Sequence, residues 1–181
     1  MQRISKTNLI TRMALLSTLS LVLTRFLSFY IPFLGVQSMR VGFGDVPIIL
    51  SGLLLGSPAG GFVGLAADLS GAILFPSGPF FPGFTFSALL VGFLPAFLVR
   101  HFKKKEQVLT RTMLFLSILC TQLIASAFLN TLWIVILYMS PLTVEKYLSL
   151  FFIRAPFSIM MSFVYTIIVY PLFTRITKEN L

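Results

Sequence analysis

Apolar residues fall in long runs, separated by short breaks of proline, glycine and charge. Crossing the hydrocarbon of a bilayer takes about 20 residues of helix, and most of these runs approach that length. Residues 9–30 predict a first span, apolar except for serines, threonines and Arg25. Pro32 and Gly35 break it, and a polar connection leads to Asp45. Residues 46–56 form a second apolar segment, short for a span, ended by Ser57-Pro58. The third segment, 59–75, runs into Pro76-Ser-Gly-Pro-Phe-Phe-Pro-Gly83, whose prolines forbid a regular helix. Residues 84–102 make the fourth. After a basic linker, 103–111, come the fifth at 112–139 and the sixth at 151–176, with a short polar tail.

Composition turns this pattern into a class. The chain is 57% hydrophobic and 10% charged, too few polar groups to cover a globule of its own. An all-α membrane protein is expected, with residues 1–181 forming one six-helix transmembrane domain. No small-residue cleavage site follows the first apolar run, which therefore reads as a span and not a signal peptide. Cys120 stands in an apolar run, reads as a small helix hydrophobe and gives no compartment information.

Charge orients the spans. The net charge of +9 does not form an aromatic-rich basic groove, so nucleic acid is not the expected partner. Basic residues sit instead at the ends of apolar segments. Arg3, Lys6 and Arg12 open the chain, and Arg100, Lys103, Lys104, Lys105 and Arg111 flank the linker. The positive-inside rule puts both groups in the cytoplasm, so an even number of crossings separates them. The short second segment must then cross, borrowing residues 43–45 or a thin patch of membrane. Both termini fall inside, with Arg175 and Lys178. Of the 14 Lys and Arg residues, Arg25, Arg40, Lys146 and Arg154 remain, all near outer ends or in outer loops. Orientation does not explain this outer excess of cations.

Arg25 and Asp68 lie within spans, where ionisable groups face a protein interior or a polar cavity. They either pair with each other to fix helix packing or contact a ligand. Arginine suits carboxylates, because its planar fork makes two parallel charge-assisted bonds; Asp68 suits N–H donors. Arg154 is a second anion anchor or an interfacial snorkelling arginine. Phe80, Phe81 and Phe84 flank the Pro/Gly turn, and Trp133 and Tyr138 lie towards the outer end of the fifth segment. They are either interfacial belt residues or a stacking surface for a flat ligand. Asn130, one turn from Trp133, adds a neutral donor and acceptor. Gly60, Gly64, Ala67 and Gly71 form a small-residue stripe for close helix approach. Ala14 and Thr18, four apart on one face of the first segment, pack internally or against another subunit. No phosphate-binding loop occurs, and the single histidine, His101, has no carboxylate or cysteine cluster for metal or triad chemistry. The expectation is a non-enzyme without a cofactor of its own.

Several stretches resemble the substrate-binding (S) components of energy-coupling factor transporters, and within them the folate family. They are Thr24-Arg-Phe-Leu-Ser28, Gly42-Phe-Gly-Asp-Val-Pro-Ile-Ile-Leu-Ser-Gly-Leu-Leu-Leu-Gly56 and Gly60-Gly-Phe-Val-Gly-Leu-Ala-Ala-Asp-Leu-Ser-Gly71. The most specific is Phe75-Pro-Ser-Gly-Pro-Phe-Phe-Pro-Gly-Phe-Thr-Phe-Ser-Ala88, and Leu129-Asn-Thr-Leu-Trp-Ile134 with Tyr138 and Arg154 extends the similarity. The resemblance implies a six-helix S-component fold with a vitamin near the outer face, under the loops after segments one and three. It implies a transmembrane coupling subunit and two ATP-binding-cassette ATPases as partners, the latter consuming ATP. The family's Ala-x-x-x-Ala contact with the coupling subunit reads Ala14 and Thr18 here, a departure at the second position. A folate would offer tail carboxylates to Arg25, Arg40 and Arg154, flat rings to Phe80, Phe81 and Trp133, and N–H donors to Asp68 or Asn130. Another ring-bearing metabolite, such as a flavin or pantothenate, or a membrane scaffold or enzyme subunit, is the alternative.

Overall fold

The computed structural model describes residues 5–33, 36–76, 78–102, 109–139 and 143–179, with backbone alone at 29–33, 36–40 and 179. Helix α1 (Lys6–Phe26) ends four residues earlier than the apolar run suggests. Ser28 turns its hydroxyl back onto the Thr24 carbonyl, and the chain becomes an antiparallel hairpin, β1 (Ser28–Phe33) and β2 (Val36–Gly42). A polar loop was expected there. Aromatic and β-branched residues favour a pleated strand, and the register shifts between Ile31 and Pro32, as a residue without an N–H requires.

Helix α2 (Asp45–Leu55) has 11 residues and rises about 16 Å, half the hydrocarbon thickness of about 30 Å. Residues 43 and 44 do not lengthen it. Its Val46–Gly52 stretch is buried, so α2 is a core helix enclosed by other helices, not a lipid-facing span. It ends at Gly56, whose φ of 112° suits a residue without a side chain. Helix α3 (Ser57–Leu74) starts at once, with Pro58 in its first turn. The break is therefore at Gly56, one residue before the Ser57-Pro58 expected.

Helix α4 (Pro82–Phe102) begins on the last proline of the Pro/Gly stretch. Gly52 of α2, Gly60 of α3 and Gly92 of α4 meet at one crossing, where a Cβ on Gly60 or Gly92 would collide with the other's carbonyl oxygen. The small-residue stripe on α3 is thus consumed inside the chain, as backbones without side chains approach closely. Helix α5 (Arg111–Thr121), a π-helical stretch (Gln122–Leu129) and α6 (Asn130–Tyr138) form one column. Helix α7 (Val144–Glu179) starts seven residues before the apolar segment read from sequence. The α1, α3, α4, α5–π–α6 and α7 columns are long and apolar enough to cross a membrane, which with α2 makes six helical columns. Of α1, Ser20 is the one buried residue, so this helix lies on the outside of the bundle.

Candidate ligand-binding cavity

Helix α2 starts below the end of α1, level with Ser20, and its first turn forms the floor of a cavity. Three helices hold that floor. Ser20 of α1 donates to the Gly44 carbonyl at 2.8 Å, Tyr165 of α7 to the Gly42 carbonyl at 3.1 Å, and the Gln122 amide to Asp45 Oδ2 at 3.0 Å. Asp45 lies in the first turn of α2, where a negative charge meets the positive end of the helix dipole. Gln122, 2% exposed, opens the π-helical stretch. Gln122, Ser126 and Asn130, spaced four apart, share one face of this column and line the cavity wall.

The cavity has a volume of about 520 Å³, within the range of about 300–1,000 Å³ usual for small-molecule sites. Arg25, Asp68, Phe80, Phe81, Phe84, Asn130, Tyr138 and Arg154, all singled out from sequence, line it. Arg154 is 7% exposed, and its Nη2 donates to the Ser126 carbonyl at 2.9 Å. Arg154 lies within α7, buried and on the cavity lining, and its guanidinium is held inside the bundle. Arg25 rests against α3, where a Cβ on Gly71 would stand 2.9 Å from its Nη2. Asp68, one turn earlier on α3, accepts a hydrogen bond from Thr85 at 2.7 Å. Asn130 Oδ1 is buried without a hydrogen-bond partner among the described residues, an acceptor the fold alone leaves unused.

The remaining candidates sit elsewhere. Trp133 does not line the cavity. It donates from Nε1 to Ser87 at 3.2 Å, covers Gly83 and packs on Phe81 with ring centroids 5.6 Å apart, so it supports the aromatic wall from behind. Lys146 ties down the end of α6 by donating to the Met139 carbonyl at 3.3 Å. Arg40 stands opposite Tyr30 in the hairpin, and its side chain lies outside the described residues. Ala14 and Thr18 are exposed on α1, and Thr18 satisfies its hydroxyl on the Ala14 carbonyl at 2.9 Å. Asp45, Gln122, Ser126 and Tyr165 are among the cavity groups that sequence reasoning passed over. Gln122 had a visible signal, an amide within a long apolar run, since a polar group at that depth requires a partner.

The sequence profile of the family described as ECF transporter, substrate-specific component, matches residues 8–173. The chain is 36% identical over 132 residues to the folate transporter FolT of Clostridium novyi (strain NT), covering 73% of this chain and 71% of that protein. Its fold is similar to that of a crystal structure of FolT bound with folic acid, at a TM-score of 0.67 and 25% identity, over 88% of this chain and 94% of the other. It is also similar to the S component of a bacterial ECF transporter, at a TM-score of 0.70 and 24% identity, over 97% and 99%. A multi-pass helical bundle with a built cavity and a family match over nearly its whole length, this chain belongs to the substrate-specific components of ECF transporters.

Proposed function

We propose that the chain binds folate or a reduced folate in this cavity and passes it to a transmembrane coupling subunit driven by separate ATPases. One observation carries the ligand class: Arg25 and Arg154 bound the same cavity as Asp68 and a wall of phenylalanines. A dicarboxylate joined to flat, N–H-bearing rings answers each part. The guanidinium groups bind the tail carboxylates. Phe80, Phe81 and Phe84 stack on the rings, and Asp68 and Asn130 accept from the pterin edge. The resemblance to a folic acid-bound FolT supports this assignment. On the outer side of the bundle, the exposed Ala14–Thr18 face of α1 offers small residues to the coupling subunit. Both termini lie in the cytoplasm in this reading, which opens the cavity to the outside.

The test is direct. Mass spectrometry of the metabolite that co-purifies with the detergent-solubilised chain should find a folate. Titration with folic acid should show tight binding that Arg25→Ala or Arg154→Ala weakens by about 1.5–3 kcal/mol, the worth of a charge-assisted bond. A co-purified flavin or pantothenate, or affinity unchanged in both variants, would replace the folate assignment.

A further inference from the structure

A second concavity lies at the far end of the bundle from the ligand cavity, between the start of α3 and the last two turns of α4. It has a volume of about 400 Å³ and is walled by Ser57, Pro58, Phe93, Phe97, Arg100 and His101. Along α4 its wall is a ladder of rings. Phe93 and Phe97 stack with centroids 5.6 Å apart and 20° between planes, and Phe97 and His101 follow at 6.3 Å and 15°. Their spacing of four residues puts them on one helix face. Phe97 is 48% exposed. The ladder ends at the Arg100 guanidinium and the His101 ring. Arg100 lies over the α2–α3 turn, its Nη2 3.3 Å from where a Gly56 Cβ would stand, and His101 is exposed beside it. No carboxylate lines the groove among the described residues.

We infer that this groove binds one acidic phospholipid of the membrane leaflet at that end. The occupant must match an order: an apolar strip along the helix axis within the hydrocarbon, then positive charge at the end of a 21-residue span. A phospholipid has that order in its own structure, with an acyl chain to lie along Phe93 and Phe97 and a phosphate to meet Arg100 and His101. Basic pockets between transmembrane helices attract anionic headgroups. The aliphatic stem of Arg100 covers apolar surface while its charge reaches the interface. A free phosphate would use Arg100 and leave the ring ladder idle, and a neutral lipid would use the ladder and leave Arg100 without a net-anionic headgroup. The groove is remote from the ligand cavity, so this inference stands apart from the folate reading.

The experiment uses the full chain in a neutral detergent, with native mass spectrometry and thermal shift as readouts. Phosphatidylglycerol, phosphatidylcholine of the same acyl chains, and glycerol 3-phosphate are titrated separately. One phosphatidylglycerol per chain should be retained about tenfold more tightly than phosphatidylcholine, and the preference should shrink as salt rises. Arg100→Gln with His101→Gln should bring the two lipids within about twofold, since the Arg100 charge carries the preference. Phe97→Ala should weaken both lipids alike and leave the preference. Equal retention of the two lipids by the wild-type chain, a preference surviving the double substitution, or glycerol 3-phosphate binding as well as the lipid would each overturn the inference. Arg100→Gln alone, which removes the formal charge and keeps the His101–Phe97 stack, should also shrink the preference and keeps the test decisive should the double variant fold poorly.

Discussion

The guanidinium group of Arg25 occupies the space that a side chain at Gly71 would fill. A Cβ there would stand 2.9 Å from Nη2 and 3.2 Å from Nε. Gly71→Ala should therefore push the Arg25 head out of place while leaving the helix intact, because alanine favours a helix over glycine by about 1 kcal/mol. Folic acid affinity is expected to fall roughly tenfold, the equivalent of 1.4 kcal/mol, with the midpoint of thermal unfolding unchanged or raised. Titration calorimetry beside a melting curve separates the two effects.

Arg154 and Lys146 both belong to the outer excess of cations, and the structure divides them: Arg154 lines the cavity and Lys146 does not. Arg154→Lys should fail to restore what Arg154→Ala loses, since a single ammonium cannot reproduce a planar fork of donors. Lys146→Met, which removes the bond to the Met139 carbonyl, should leave ligand affinity within about twofold, since Lys146 does not line the cavity. Parallel binding curves for the three variants decide the matter.

Gln122→Leu removes a donor from Asp45 at the cavity floor and keeps the volume. Loss of one partner in a buried polar pair costs about 1–3 kcal/mol, which should appear as a lower melting midpoint in detergent even without ligand. Gln122→Glu, which puts a second carboxylate beside Asp45, should lower the midpoint further, because like charges at close range repel. A Gln122→Leu variant as stable as wild type would show that the pair contributes nothing.

The triple-glycine crossing admits no added atom. Gly92→Ala would place a methyl group against the Gly60 carbonyl oxygen, so α3 and α4 must separate. Overpacking of this kind costs about 1–3 kcal/mol. The expected outcome is a reduced yield of monodisperse protein by size-exclusion chromatography, whereas Gly61→Ala, with ordinary contact distances of 3.5 Å and above, should behave as wild type.

Trp133 is the one tryptophan of the chain, and it packs on Phe81 at the cavity wall. Ligand binding should change its fluorescence, and Phe81→Ala should abolish most of that change by removing the ring that links indole to cavity. A ligand that binds with no change in Trp133 emission would place the stacking surface elsewhere.

Much of this architecture was legible as pattern. Long apolar runs have few solutions in lipid, because every backbone polar group must be satisfied within its own segment. The helices, their order and their breaks at Pro and Gly follow from that rule. So does the presence of Arg25, Asp68 and Arg154 around a shared cavity, since ionisable groups within a bundle converge on a polar interior. The family, too, was written in the Gly42–Gly56 and Phe75–Ala88 stretches.

Other features were decided only by packing in three dimensions. The hairpin after α1 replaces a loop, because strand pairing depends on a partner segment and not on local pattern. The burial of α2 depends on the neighbours that enclose it, so a short apolar segment alone could not distinguish a core helix from a compressed span. The four-residue spacing of Gln122, Ser126 and Asn130 puts them on one face, but that this face meets the cavity was decided by packing. Arg154 and Lys146 look alike in sequence, yet one faces the cavity and the other caps a helix end. Hydropathy and charge thus determined what spans and where the cations fall, since those depend on each segment's own transfer energy. Which cation lines the cavity was settled by the tertiary fold, because that depends on contacts between segments far apart in the chain.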